Sequence, residues 1–452
     1  MGDQIIEEYI MFVRPENWKK MTPMERRAAR LDSWQNAPVP FASPEAEANY
    51  KERITRVRKI YDMEPHDRPV ADAFMGANEY VGRRRGLTGT DFVYNHEKMF
   101  GPYVDFHREF QPDVAVGMLP YPGKSWDILG FNNYVWGGQK LPENLVIQAV
   151  EGEYMSADEY KDFAADPTDF WLKKYLPRSY SGLAPLAMLP DFTRISESVD
   201  TIDLLLPFAM PPFQEMLHKL MEAAGELMKV LGAVGQTMGT IAGEGYPSMG
   251  LNIVKTPFDY LGDTLRGTKG ILTDMYRHPK DLLAACEAYV PVLIKAIVGA
   301  SDRSNAPAAL YVLHKGADAF MSQAQFEKFY WPTWKQVMMG LYDEGITSYL
   351  FIEGSYNNRM ENLAEMPEKS LVCHFDKSDM RKAKEILSDK FIIAGNVPAS
   401  LMSAGTTDEV RAYCDNLVDL YADAPAYIMA HGCYFENTTD DKMRAFFDSV
   451  KK

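Results

Sequence analysis

Four short apolar runs dominate the last third of the chain: SYLFIEG, SLVCHFD, FIIAGN and AYIMAHGC. Each stops abruptly at a glycine or a polar residue, and segments of helical spacing lie between them. Runs of this length and boundary read as buried strands. Strands apolar along their whole length, alternating with helices, belong to a parallel sheet covered on both faces. RPVADAF, DVAVGMLP, QTMGTIAG and AALYVLH extend the series towards the N-terminus and bring the expected strands to eight. The fold class expected is α/β, a (β/α)8 TIM-type barrel rather than an open doubly wound sheet. No GxGxxG follows the first strand and no GxxxxGK[ST] occurs, so a nucleotide fingerprint is absent.

Residues 1–65 read as a charged helical extension packed on the barrel, and residues 66–452 as the barrel itself. Two helix starts are marked in the extension. Thr22-Pro23 is followed by Glu25, and Ser43 is followed by Pro44, a capping residue ahead of proline at the first helical position. The stretch 120–210 is rich in Pro, Gly and aromatics and too long for a plain connection, so it reads as an inserted segment or cap. In the helix SQAQFEKFYWPTWKQVMMGLYDEG, Pro332 demands a bend.

A net charge of -15 argues against nucleic acid, whose usual footprint is a basic patch. No apolar run approaches the ~20 residues of a membrane helix. The opening MGDQII has Ile where a myristoylation signal needs Ser or Thr, and acids stand where a secretory signal is basic. Four scattered cysteines, at 286, 373, 414 and 433, do not make a disulfide framework. The expectation is a reducing, cytoplasmic setting.

In a (β/α)8 barrel the active site lies at the C-terminal ends of the strands. Glu353, His374 and Cys433 stand at three such ends and offer the O, N and S donors that zinc prefers. Glu353 reads equally as a capping or salt-bridging acid, and His374 as a hydrogen-bonded core histidine. Asp376 shares a strand face with His374 and is a partner for it or a general base. His431 shares a face with Cys433. His314, Lys315 and Asn396, also at strand ends, are candidates for substrate contact. Asp105-Phe106-His107 has the first half of a DxHxxG corrinoid-binding pattern, but Phe110 replaces the glycine.

TLRGTKGILTDMYRHPKDLL, FMSQAQFEKFYWPTWKQV, IIAGNVPASLMSAGTTDEVRAYC and YIMAHGCYFENTTDDKMRAF resemble the uroporphyrinogen decarboxylase superfamily, in particular its corrinoid (cobalamin)-dependent methyltransferase branch. The resemblance covers residues 230–450 and implies the same (β/α)8 barrel. It implies zinc held by a His-x-Cys pair at one strand end and a Cys at the last. Cys433 matches that last Cys. Phe351 and Glu353 fall on the pair, and His374 is the substitute ligand. The decarboxylases' basic RQAGR-like motif is absent. The implied reaction moves a methyl group from an O-, N- or S-methylated small molecule, a methyl ether by preference, to the Co(I) of a corrinoid on a separate protein. Zinc would act there as a Lewis acid on the leaving atom, and His431, Asp376 or Tyr434 would supply a proton. The resemblance also suggests a homodimer. Two rival readings are a metal-free decarboxylase using Asp376 and His374, and a non-catalytic partner of a corrinoid protein.

Overall fold

The computed structural model describes residues 11–451, so the MGDQII opening lies outside the described residues. Seven parallel strands form one curled sheet. They are β1 (Val70–Asp72), β4 (Leu251–Val254), β5 (Ala308–Leu313), β6 (Thr347–Ile352), β7 (Leu371–Phe375), β8 (Ile392–Gly395) and β9 (Tyr427–Ala430), in the order β1-β9-β8-β7-β6-β5-β4. The remaining pair, β2 (Tyr134–Trp136) and β3 (Ile147–Ala149), makes a small antiparallel hairpin in the inserted segment. The architecture is the expected α/β barrel, with one stave irregular. Residues 113–118, read as the second strand, are largely buried but join no ladder. The Ala115 N–H donates to the Pro247 carbonyl at 2.8 Å. That single bond is the link to the segment leading into β4, and among the described residues no return bond completes a ladder there.

Two expectations along the chain resolve differently. QTMGTIAG is not a strand. It closes the helix Pro211–Gly243, and the strand assigned to it lies further on, at β4. Met216, Ala223, Val230 and Thr237 repeat every seven residues on the buried face of that helix, and a window of eight residues is too short to show the repeat. Pro332 causes no mid-helix break. A π-helical turn covers Phe326–Tyr330, and the α-helix restarts at Trp331, so the proline falls in a first turn where its missing N–H costs nothing.

Alternation along the strands divides the core in two. Leu350, Ile352, Cys373, Phe375, Ile393 and Met429 pack outwards on the helices. Tyr349, Phe351, Val372, Ile392, Ala394 and Ile428 point into the barrel. The helices α1 (Pro23–Trp34) and α2 (Pro44–Tyr61) contribute Leu31, Trp34, Ile54, Val57, Ile60 and Tyr61 to that inner cluster. Both begin as their sequences indicate, with a capping box at Thr22–Glu25 and a Ser43 cap. Arg27 and Arg30 reach Thr347 Oγ1, Asp302 and the Glu344 carbonyl, which fastens α1 under β6. The extension thereby stoppers the N-terminal end of the barrel and leaves the C-terminal end as the open one.

Among the described helices, α3 (Pro211–Gly243) is the longest, and α4 (Pro279–Ser304) is long and apolar enough to cross a membrane. In the fold α4 buries Leu282, Cys286, Tyr289, Leu293 and Ile297 in the outer core. Arg83, Arg84 and Arg85 pair with Glu79, with Glu109 and Asp440, and with Asp105.

Candidate active site

Strand register decides which side chains share a level. β6 and β7 pair Phe351 with His374 and Ile352 with Phe375. The next inward pair is therefore Glu353 and Asp376, at the rim, and His374 lies one layer below them. β8 continues the register, with Gly395 against Phe375 and hence Asn396 beside Asp376. β9 is prolonged by a bridge between Val397 and His431, which carries Gly432 and Cys433 to the same rim. Gly432 lies directly over Asp376. A Cβ there would come within 2.9 Å of Asp376 Oδ1.

Glu353, Asp376 and Cys433 thus meet at the rim. Burial raises the Glu353 carboxyl above its ordinary value; the charges of Asp376 and Asp263 add to this, and His314 opposes it. Asp376 is half-buried, accepts the Gly354 N–H at 3.1 Å, and is also raised by burial. Burial pushes the Cys433 thiol up, with Glu353, Asp376 and Glu436 contributing. Tyr434, more than a third exposed beside them, is pushed up to about 12, chiefly by burial and then by Glu353.

Next to these acids is a cationic cluster built on one carboxylate. Asp263 Oδ2 takes His314 Nδ1 at 2.6 Å and Lys255 Nζ at 2.8 Å, and Oδ1 takes Lys315 Nζ at 2.5 Å. His314 Nε2 faces Glu353 Oε2 at 3.7 Å. Burial works against the imidazolium, but the Asp263 hydrogen bond and charge outweigh it, and the His314 pKa is raised. These three cations hold the Asp263 carboxyl well below the usual range despite its burial. Beneath it, fully buried Asp259 accepts the Tyr330 hydroxyl at 2.5 Å and the Lys315 N–H at 2.9 Å, and its pKa is raised by burial and then by Asp263. Trp171 from the inserted segment stacks on Tyr289 at 5.8 Å and meets Tyr260 edge-on. The charge of Lys255 acts on both Tyr260 and Tyr175, so this aromatic cluster borders the cationic group.

Several residues singled out in the sequence occupy other places. His374 is in the barrel interior with both ring nitrogens engaged. Nε2 is 2.5 Å from the His431 carbonyl and Nδ1 is 3.1 Å from the Tyr349 hydroxyl. Burial lowers its pKa to about 4. His431 also turns inwards, among Phe351, His374 and Phe435. Burial, with His374 adding, holds it well below its ordinary value, so it stays neutral and is placed to pack rather than to give a proton. Asn396 is buried under the rim. Its Nδ2 donates to the Asp376 and Ser378 carbonyls and its Oδ1 accepts from Tyr413, so its amide braces the loop after β7 instead of facing a substrate. His107, in the partial corrinoid pattern, is wholly buried between the Tyr103 carbonyl and the Val116 N–H.

The sequence reading missed Lys255, Asp259 and Asp263. The signal is present, since KTPFDYLGD directly follows the apolar LNIV, but the strand expected at QTMGTIAG ends at Gly243, eight residues before β4 begins at Leu251.

The donor set Glu353, His374 and Cys433 does not fit zinc as it stands, because both nitrogens of His374 are committed a layer below the other two. Among the described residues no three His, Cys, Asp or Glu side chains converge to hold a metal ion.

Comparison with known proteins bears on the fold and the family. A family model described as Uroporphyrinogen decarboxylase (URO-D) matches residues 208–452, more than half of the chain. Among solved structures, a methyltransferase from Methanosarcina mazei superposes with a TM-score of 0.54 at 12% identity, covering 89% of this chain and 97% of that one. At that identity the likeness is one of fold. No curated protein matches.

Proposed function

From the premise that this chain belongs to the uroporphyrinogen decarboxylase family, we propose that it is a methyltransferase. It takes a methyl group from an O-, N- or S-methylated small molecule, a methyl ether by preference, and delivers it to the Co(I) of a corrinoid on a separate protein. The observation that carries this reading is the Asp263–His314–Glu353 array at the barrel mouth, with His314 2.6 Å from one carboxylate and 3.7 Å from the other. In methyl-ether cleavage the partner's cobalt supplies the nucleophile, the C–O bond breaks, and its electron pair stays on oxygen. What this chain supplies is the proton for that oxygen. His314 is the donor, because its hydrogen bond to Asp263 favours the imidazolium form and raises its pKa. Glu353 faces His314 Nε2 at 3.7 Å, and its charge acts on Tyr434 at the rim. The partly buried rings of Trp171 and Tyr260, packed edge-on near Lys255, would suit an apolar or aromatic methyl donor. With His107 committed to the fold, the corrinoid arrives on its own carrier. The fold shared with the M. mazei methyltransferase supports the same reading. The four free cysteines accord with a reducing cytoplasm.

The rival reading, decarboxylation of a polycarboxylate, is weighed down by the rim. Glu79, Glu353, Asp376 and Glu436 act together on Cys433 and Tyr434, and like charges repel a polyanion. The deciding assay incubates the protein anaerobically with a Co(I) corrinoid protein and a panel of methyl ethers, amines and thioethers while the cobalt spectrum is followed. Transfer from an ether is expected. A folded protein that transfers no methyl group from any donor, or that decarboxylates a porphyrinogen instead, overturns the proposal.

A further inference from the structure

The inserted segment and α3 leave an apolar surface uncovered. Of the large hydrophobic residues with exposed side chains, more than half lie between Met188 and Leu231. A patch this concentrated is unusual on a monomer and marks a contact. Its straightest part is one face of α3, and the sequence of that face says what covers it.

α3 buries Met216, Ala223, Val230 and Thr237 on the inner side. The opposite side presents His218, Met221, Gly225, Met228, Gly232 and Gly235, all turned to solvent. Steps of three and four residues alternate along this line, which is the seam spacing of a two-helix coiled coil. Met221 is 63% and Met228 52% exposed. A Cβ built at Gly225, Gly232 or Gly235 meets nothing within 4 Å. Large side chains and open glycines thus share one stripe, with no neighbour from the chain itself.

We propose that this face is the dimer interface, and that its occupant is α3 of a second copy, antiparallel about a two-fold axis between Glu226 and Leu227. In that register Met221 falls on Gly232 of the second copy, Met228 on Gly225 and His218 on Gly235, and each contact occurs twice by symmetry. Every layer sets a long side chain into a gap left by a glycine. The flanks agree as well. On one side Glu222 of each copy comes beside Lys229 of the other. On the second side Leu231, 40% exposed, comes beside Ala224. Lys229, 71% exposed, now reaches only Glu226 of its own helix, at 2.6 Å. Parallel pairing would instead set Met on Met and glycine on glycine, and would separate Glu222 from Lys229 of the other copy. A stable dimer of ordinary size buries about 800 Å² on each partner. The exposed residues Val199, Ile202, Leu205 and Leu206, next to the start of α3, extend the apolar area towards that size.

The test is the mass of the full chain in solution across a concentration series, by sedimentation equilibrium. The wild type is expected at twice 51.2 kDa. Glu222→Lys and Lys229→Glu each turn two attractions into two repulsions and are expected to weaken the dimer by roughly tenfold. The double variant Glu222→Lys/Lys229→Glu restores opposite charges across the seam and is expected to recover wild-type affinity. Both positions are solvated, and unchanged circular dichroism and melting verify that the three variants fold. A monomeric wild type at tens of micromolar overturns the proposal, as does a dimer indifferent to the single reversals or a double variant that stays weak. Met228→Asp abolishing capture of the corrinoid protein while leaving the mass unchanged would assign the face to that carrier instead.

Discussion

At the scale of single residues, the chemistry rests on what holds a proton where. Asp263 outweighs the burial that opposes the charge of His314 and raises its pKa. His314→Asn is expected to lower methyl transfer by about 100-fold or more, the usual worth of a placed general acid. The wild-type kcat/KM is expected to fall as pH rises through the raised His314 pKa, above 6.5, because the donor is lost on the alkaline side, and the variant loses that limb. A pH–rate profile of both proteins checks this. Asp72 gives a stability prediction. It is fully buried, and burial raises its pKa to about 6, against the Phe74 N–H bond that works the other way. A raised acid favours the protonated folded state, so stability is lost as pH climbs from the unfolded value near 4 to about 6 and stays lost above. Asp72→Asn removes that loss. It is expected to stabilise the protein by about 1–3 kcal/mol at pH 8 and by little at pH 4, read by urea denaturation. Cys433 and Glu353 were recognisable from their place at the ends of apolar runs. Asp263 was not, because its meaning comes from gathering Lys255 of its own segment with His314 and Lys315 from the end of β5.

At the scale of elements, local signals held where they were self-contained. Thr22-Pro-x-Glu and Ser43-Pro start helices in the structure as they do on paper. Thr22→Ala is expected to cost about 1 kcal/mol, measured as a lowered urea midpoint, since the cap serves the helix that stoppers the barrel. The loops after β1 and β9 interlock less visibly. A Cβ on Gly76 would stand 2.6 Å from the His431 ring, which Phe351, His374 and Phe435 leave no room to move. Gly76→Ala is expected to destabilise by about 1–3 kcal/mol. Adding His431→Ala relieves the clash, so the two effects should fall well short of additive in a double-mutant cycle. Nothing in the sequence joins Gly76 to His431, which are 355 positions apart. The strand misassigned to QTMGTIAG failed for a related reason, because a helix of 33 residues cannot be recognised from its last eight.

At the scale of the whole molecule, the N-terminal extension closes one end of the barrel and so leaves chemistry to the other. Removing residues 1–61 bares Leu310, Tyr349, Val372 and Ile428 to water. The truncated chain is expected to be insoluble or to lose cooperative unfolding, as read by soluble yield and a thermal melt. The sequence by itself determined the strand–helix alternation from β5 onwards, the barrel class, the starts of the first two helices and the end of the barrel where polar groups gather. These follow from periodicity and capping, which act over a few residues. Tertiary structure alone decided that Asp376 rather than His374 is level with Glu353, that His431 packs inwards, and that Asp263 gathers three cations. Those outcomes depend on strand register, and register is fixed by pairing between segments that never meet in the sequence.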